Sequence, residues 1–150
     1  ILEIFNDRFN GYKQALIDHG LEFNENYVIQ TRNKIEAGQN AVKKLLKLKS
    51  PPDAIFSSSD WLALGAIQEL RIKGIMIPED ICIVGFSNEP FTKFMELPIS
   101  SVEQFPIDMG KMTAKVFLQQ VNDSENVKFE QKVVLTPKLF VRKSSLRSIS

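Results

Sequence analysis

Apolar and polar positions follow two periods along this chain, and the switches between them mark its elements. Phe9, Tyr12, Ala15 and Leu16 recur at helical spacing, after Asn6 and Asp7 and before Gly20. An Asn or Asp side chain can accept from the free N–H groups of a first turn, and glycine can close a helix in the left-handed region. His19 falls in the last turn, where a cation meets the negative end of the helix dipole, and reads as surface or cap. Tyr27–Gln30 predicts a short strand and Thr31–Lys34 a polar loop. A second helix is predicted from Ile35 to Leu48, with Ala41, Leu45, Leu46 and Leu48 turned inward. Ser50-Pro51-Pro52 stops it, because proline cannot donate or fit inside a helix.

Asp53–Ser57 predicts the next strand, and a helix follows at once from Asp60 to about Lys73, capped by Ser59 or Asp60 and ended by Gly74. Ile81–Phe86 is a continuous apolar run of the kind buried on both faces of a sheet. These two strands are one β-α-β unit apart, about 30 residues. The alternation of helix and strand predicts an α/β fold in three layers, a parallel sheet with helices on both faces. The last third is different. Pro90, Pro98 and Pro106 interrupt a winding segment with few periodic features. Ile107–Val121 is again amphipathic, Asn122–Asn126 predicts a turn, Val127–Leu135 alternates like a strand, and Leu139–Arg142 predicts a final strand before a polar, frayed tail from Lys143.

Composition narrows the function. The chain has 150 residues, 43% hydrophobic and 25% charged, enough for one well-buried globular domain. With 19 Lys and Arg against 18 Asp and Glu, the net charge of +1 supplies no global pull toward DNA or membrane. A DNA-binding surface would be local or lie outside this chain. The single cysteine, Cys82, sits in an apolar run and reads as a small buried hydrophobe. One His with one Cys argues against zinc, and the acids lack calcium-loop spacing. No metal or cofactor is expected. No apolar run approaches the ~20 residues that span a bilayer, so no membrane partner is expected. The chain opens on Ile1-Leu2-Glu3-Ile4 without an initiator Met, as a piece of something longer would.

In a wound sheet, ligands sit beyond the carboxyl ends of the strands. Two such ends carry polar side chains: Ser57-Ser58-Ser59-Asp60 and Ser87-Asn88-Glu89. Their hydroxyls, amides and carboxylates suit a polar or polyhydroxylated ligand, although helix capping and an ordinary turn would also use them. The nucleophile elbow, the phosphate loop and the dinucleotide fingerprint are missing, so no enzyme and no catalytic residue is expected. Trp61 reads as packing, and Phe5, Phe9, Phe56 and Phe86 lie in core-patterned positions. Phe91 and Phe94, in a proline-flanked loop, are the better candidates for a ligand or partner surface.

The run Pro52-Asp53-Ala54-Ile55-Phe56-Ser57-Ser58-Ser59-Asp60-Trp61-Leu62-Ala63-Leu64-Gly65-Ala66 closely resembles the effector-binding region of LacI/GalR transcription regulators. The likeness continues through Leu70–Gly74, Ile77–Ile81, Ile83–Asn88, Pro98–Gln104 and Met109-Gly110. Arg8-Phe9-Asn10-Gly11-Tyr12 is similar to the family's early Arg-x-x-Gly-Phe, and Leu135–Pro137 to Val141–Ser144 to its ending. The resemblance implies a periplasmic-binding-protein-like fold of two lobes around a ligand cleft. On that reading 2–103 and 137–145 form the second lobe, 106–135 crosses back into the first, and a helix-turn-helix DNA-binding head is absent.

The resemblance also assigns roles. Arg8 falls where the family has an effector-contacting arginine, whose guanidinium fork would grip a carboxylate, a phosphate or sugar hydroxyls. Ser59 falls where many members carry a contacting Asn, and Ser87 where many place a ligand-binding Asp. Asp60 matches an Asp at the helix start, Gln104 a Gln at the lobe crossing, and Asn33 lies near where some members carry an aromatic. The two serines remove the usual bidentate contact to sugar hydroxyls, leaving an effector unlike simple sugars or a water in the gap. The implied parent is a cytoplasmic homodimer that binds operator DNA through its head and a carbohydrate-like effector in its cleft. The main alternative is a secreted sugar-binding protein of a transport system. An enzyme on a similar sheet, and a domain that only dimerises, are the lesser ones.

Overall fold

The computed structural model describes residues 3–122 and 132–147 of the chain. Helices α1 (Glu3–Asp18) and α2 (Ile35–Leu45) precede strand β1 (Ala54–Phe56). Helix α3 (Asp60–Ile72) leads to β2 (Cys82–Phe86), and the short α4 (Phe91–Phe94) to β3 (Ser100–Glu103). Helix α5 (Pro106–Asn122) and strand β4 (Lys138–Phe140) close the order. The sheet runs β1-β2-β3-β4, its first three strands parallel and β4 antiparallel to β3. The expected α/β sheet flanked by helices is therefore present.

The core lies between α2, α3 and one sheet face. Val42, Ala63, Ala66, Ile67, Leu70, Ile81, Ile83, Leu97 and Ile99 form one buried cluster. Helices α2 and α3 cross at very short range. A Cβ on Gly38 would run into the Leu62 carbonyl oxygen, and one on Gly65 into that of Ile35. Ser59 caps α3 through its side chain, which accepts from the Leu62 N–H at 3.2 Å. At the other end Gly74 takes φ +71° and the Ile75 N–H turns back to the Leu70 carbonyl at 3.0 Å, closing the helix.

Several expectations are corrected. Helix α1 is already formed at Glu3, the first described residue, so Asn6 and Asp7 lie within it instead of capping it. Phe5, Phe9 and Phe56, expected in the core, are exposed. Helix α2 stops at Leu45, and its buried residues are Gly38, Val42 and Leu45, while Ala41, Leu46 and Leu48 are only half-buried. Tyr27–Gln30 is not a strand. The Asn24 side chain accepts from the Asn26 N–H, and the Tyr27 and Val28 N–H groups turn back to Asn24 and Glu25, a local 3-10 turn that consumes the donors a ladder would need. In β2, Ile83 and Gly85 are buried but Cys82, Val84 and Phe86 are half-buried, because the face opposite α3 is only partly covered.

The segment expected to wind without structure contains α4 and β3. Of the run expected to alternate as a strand, 132–135 is irregular and 127–131 lies outside the described residues. Of the run expected to turn, Asn122 is still helical, the last described residue of α5, and 123–126 lie outside the described residues. The tail is ordered at its start. Ser144 is fully buried, accepts from the Ser100 N–H at 2.8 Å and donates to the Ile83 carbonyl at 2.7 Å, and so ties the chain end across β2 and β3.

Candidate functional site

The carboxyl ends of β1, β2 and β3 gather most of the polar residues that the sequence singled out. Helix α1 delivers Arg8 to this edge. One terminal nitrogen of its guanidinium donates to the Ser58 carbonyl at 2.8 Å, and the other to Gln104 Oε1 at 3.3 Å. Its carbon lies 3.8 Å above the centroid of the Phe86 ring and 5.4 Å from that of Phe5. An aromatic face attracts a cation and fixes the plane of the fork. Burial pulls the guanidinium below its usual pKa, and Arg8 Nε is buried without a hydrogen-bond partner. Arg8 enters no ion pair among the described residues.

Ser59 and Asn33 meet each other. The Ser59 hydroxyl donates to Asn33 Oδ1 while it accepts from the Leu62 N–H, so one side chain caps α3 and holds the 31–34 loop to the strand ends. Asn33 is exposed at that rim. Ser87 and Asn88 follow β2 in backbone conformations that few side chains adopt, with φ of 108° and 50°. The Ser87 N–H donates to the Val102 carbonyl, and the Asn88 N–H to Ser101 Oγ, each at 2.9 Å. This pins the turn and leaves Ser87 half-buried directly after Phe86.

Asp60 is placed apart from this group. It is completely buried beneath the turn, where Oδ1 accepts from Ser101 Oγ at 2.7 Å and Oδ2 from the Glu89 N–H at 2.8 Å. Gly85 leaves the room it needs, since a Cβ there would meet the carboxylate. Asp60 thus builds the turn from behind instead of facing Arg8.

Sequence reading missed the partners of these residues. Glu103 accepts from Asn88 Nδ2 at 2.8 Å and from the Phe105 N–H at 2.9 Å. Arg142, from the chain end, donates to Asn88 Oδ1 at 2.7 Å, Thr92 Oγ1 at 3.2 Å and the Ile99 carbonyl at 2.6 Å. No spacing signal could have found a bond that spans 54 positions. Among the described residues no cluster of potential ligands could hold a metal ion, and no helix is long and apolar enough to cross a membrane.

Residues 2–145 match the family model of the periplasmic binding protein-like domain. The chain is 36% identical over 139 residues to the HTH-type transcriptional regulator DegA of Bacillus subtilis, covering 93% of this chain and 40% of DegA. It is 35% identical over 114 residues to the HTH-type transcriptional repressor CytR of Escherichia coli, covering 76% and 33%. Among solved structures, the transcriptional regulator CelR in complex with cellobiose superimposes with a TM-score of 0.82 at 31% identity, over 91% of this chain and 41% of that one. A LacI-family regulatory protein from Chloroflexus aggregans gives 0.87 at 30% identity, over 95% and 50%. The chain thus spans well under half the length of these two curated relatives.

Proposed function

Because the chain belongs to the periplasmic binding protein-like domain family, we propose that it is the effector-sensing part of a LacI-type transcription regulator. The observation that carries this reading is the convergence of Arg8, Ser58 and Gln104 over the Phe86 ring at the strand ends. A cation held flat on a ring with part of its donor fork uncommitted is prepared for a polar ligand. Arg8, Ser87 and Gln104 are the contacts we assign first. Ser59 and Asn33 form the rim, and Asp60 positions the turn. The effector is a small polar, sugar-like molecule; the CelR relative was solved with cellobiose.

In the parent protein the body described here is one lobe, α5 crosses toward the other, and a separate head binds operator DNA. That protein works in the cytoplasm as a homodimer, for which Phe94, 85% exposed, and Trp61, packed on Phe91 at 4.8 Å, offer an aromatic surface. The effector acts by population shift. It favours one lobe arrangement by its differential affinity, and the DNA heads respond.

The test uses the full-length protein, with operator binding followed by fluorescence anisotropy while candidate sugars, cellobiose included, are titrated. The expected result is an effector-dependent change in operator affinity that Arg8→Ala abolishes while basal DNA binding is kept. An unchanged response in Arg8→Ala would sink the assignment of Arg8. No response to any effector would sink the sensing function.

A further inference from the structure

The three residues that lead from β3 into α5 each grip a different part of the molecule. Glu103 accepts from Asn88 Nδ2 at 2.8 Å through one carboxylate oxygen and from the Phe105 N–H at 2.9 Å through the other. Gln104 meets Arg8 of α1 at 3.3 Å. Phe105 takes φ 54°, and its carbonyl accepts from the Met109 N–H at 2.9 Å. It is therefore the residue on which α5 starts, with Pro106 in the first helical position. A bulky residue in that left-handed region costs energy and persists only where its surroundings hold it. Here the Glu103 carboxylate holds its N–H.

Asn88, on the other side of that carboxylate, is also left-handed, at φ 50°, and buried. Its amide is gripped in two senses. Oδ1 accepts from Arg142 at 2.7 Å while Nδ2 donates to Glu103. A carboxamide satisfies both because one end accepts and the other donates. The Asn88 amide thus stands between a cation and a carboxylate, and it anchors the turn that carries Ser87. Among the described residues no hydrogen bond joins Asn88 to Phe105 directly. Two strained segments, the turn after β2 and the start of α5, therefore meet at one side chain. Helix α5 has no packing surface among the described residues, so its direction is set at this joint.

We propose that Glu103 is a positioning residue that couples the turn carrying Ser87 to the direction of α5. A change in the turn on effector binding passes through Asn88 and the Glu103 carboxylate to the Phe105 N–H at the helix base. This rests on the effector-sensing reading and adds to it a route by which the site reaches the rest of the parent protein.

The experiment is amide hydrogen exchange on the ¹⁵N-labelled chain, with no ligand added, in a double-mutant cycle at positions 88 and 103. Asn88→Ala leaves Glu103 in place but frees it on one side. The Phe105 N–H should then exchange about tenfold faster, the scale of one hydrogen bond to a charged group, while the amides of α3 keep their rates. Asn88→Asp keeps the shape but sets a second carboxylate against Glu103, and should speed the same amide. In Glu103→Gln the side-chain carbonyl can still accept from Phe105, but its NH2 group faces the NH2 group of Asn88. The joint is kept and the link is lost, so adding Asn88→Ala to Glu103→Gln should change the Phe105 rate no further. A purely structural loss would add equally in both backgrounds, and that result would overturn the coupling. So would an unchanged Phe105 rate in both Asn88 variants, or faster exchange throughout α3, which is loss of stability alone. Each of these leaves the sensing function standing, because no ligand enters the measurement. An absent effector response in the operator assay would instead remove the sensing function and leave the measured coupling.

Discussion

Helices α3 and α5 are both read from apolar periodicity, yet they end in opposite environments. Eight of the thirteen residues of α3 are buried, among them Leu62, Ile67 and Leu70. In α5, Ile107, Met109, Phe117, Leu118 and Val121 are all exposed, Ile107 by 74%. Periodicity makes a helix amphipathic, but burial needs a surface to meet its stripe. Helix α3 has two, the Gly38 side of α2 and the Ile83 face of the sheet. Helix α5 has none among the described residues, so its helix rests on its own backbone ladder. On the proposed reading α5 is the segment that crosses toward the other lobe, whose surface would cover these side chains.

The contrast sets an order of expected stability effects in the isolated chain, measured by urea unfolding. Ile67→Ala should cost the most, about 2–5 kcal/mol, because it opens a cavity at a site 1% exposed. A cost below about 1 kcal/mol would mean that the core is looser than its packing. Asp60→Asn should come next, about 1–3 kcal/mol. An amide keeps one acceptor oxygen where two donors, Ser101 Oγ–H and Glu89 N–H, need one each. Leu118→Ser should come last, within about 0.5 kcal/mol, since little is lost from an already exposed side chain. A cost comparable to that of Ile67→Ala would break the comparison, because α5 would then have to be packed in solution.

The body of the fold was legible where pattern and punctuation agree. Ser59 at the start of α3, Gly74 at its end and the apolar run of β2 all stand where the sequence puts them. Strand β3 was invisible for a physical reason. Ser100-Ser101-Val102-Glu103 has no hydrophobic alternation, and its buried hydroxyls are satisfied by Arg142, Ser145 and Asp60, which are distant in sequence. The Tyr27–Gln30 error has the opposite origin, since β-prone side chains were outweighed by the turn that Asn24 nucleates. At the site, Arg8 and Gln104 were named from resemblance and do meet. Ser58 was hidden because its carbonyl, not its side chain, makes the contact. Phe86 was assigned to the core, and only the placement of Arg8 above its ring gives it another use.

The crossing of α2 and α3 also bears on how this sequence can change over time. Gly38 and Gly65 each face the other helix's backbone, so neither position can accept even a methyl group without prising the helices apart. Since the obstacle is a carbonyl, no compensating side-chain change at the partner position would make room. Glycine at both places in distant relatives would therefore record the distance between two helices and say nothing about what those relatives bind.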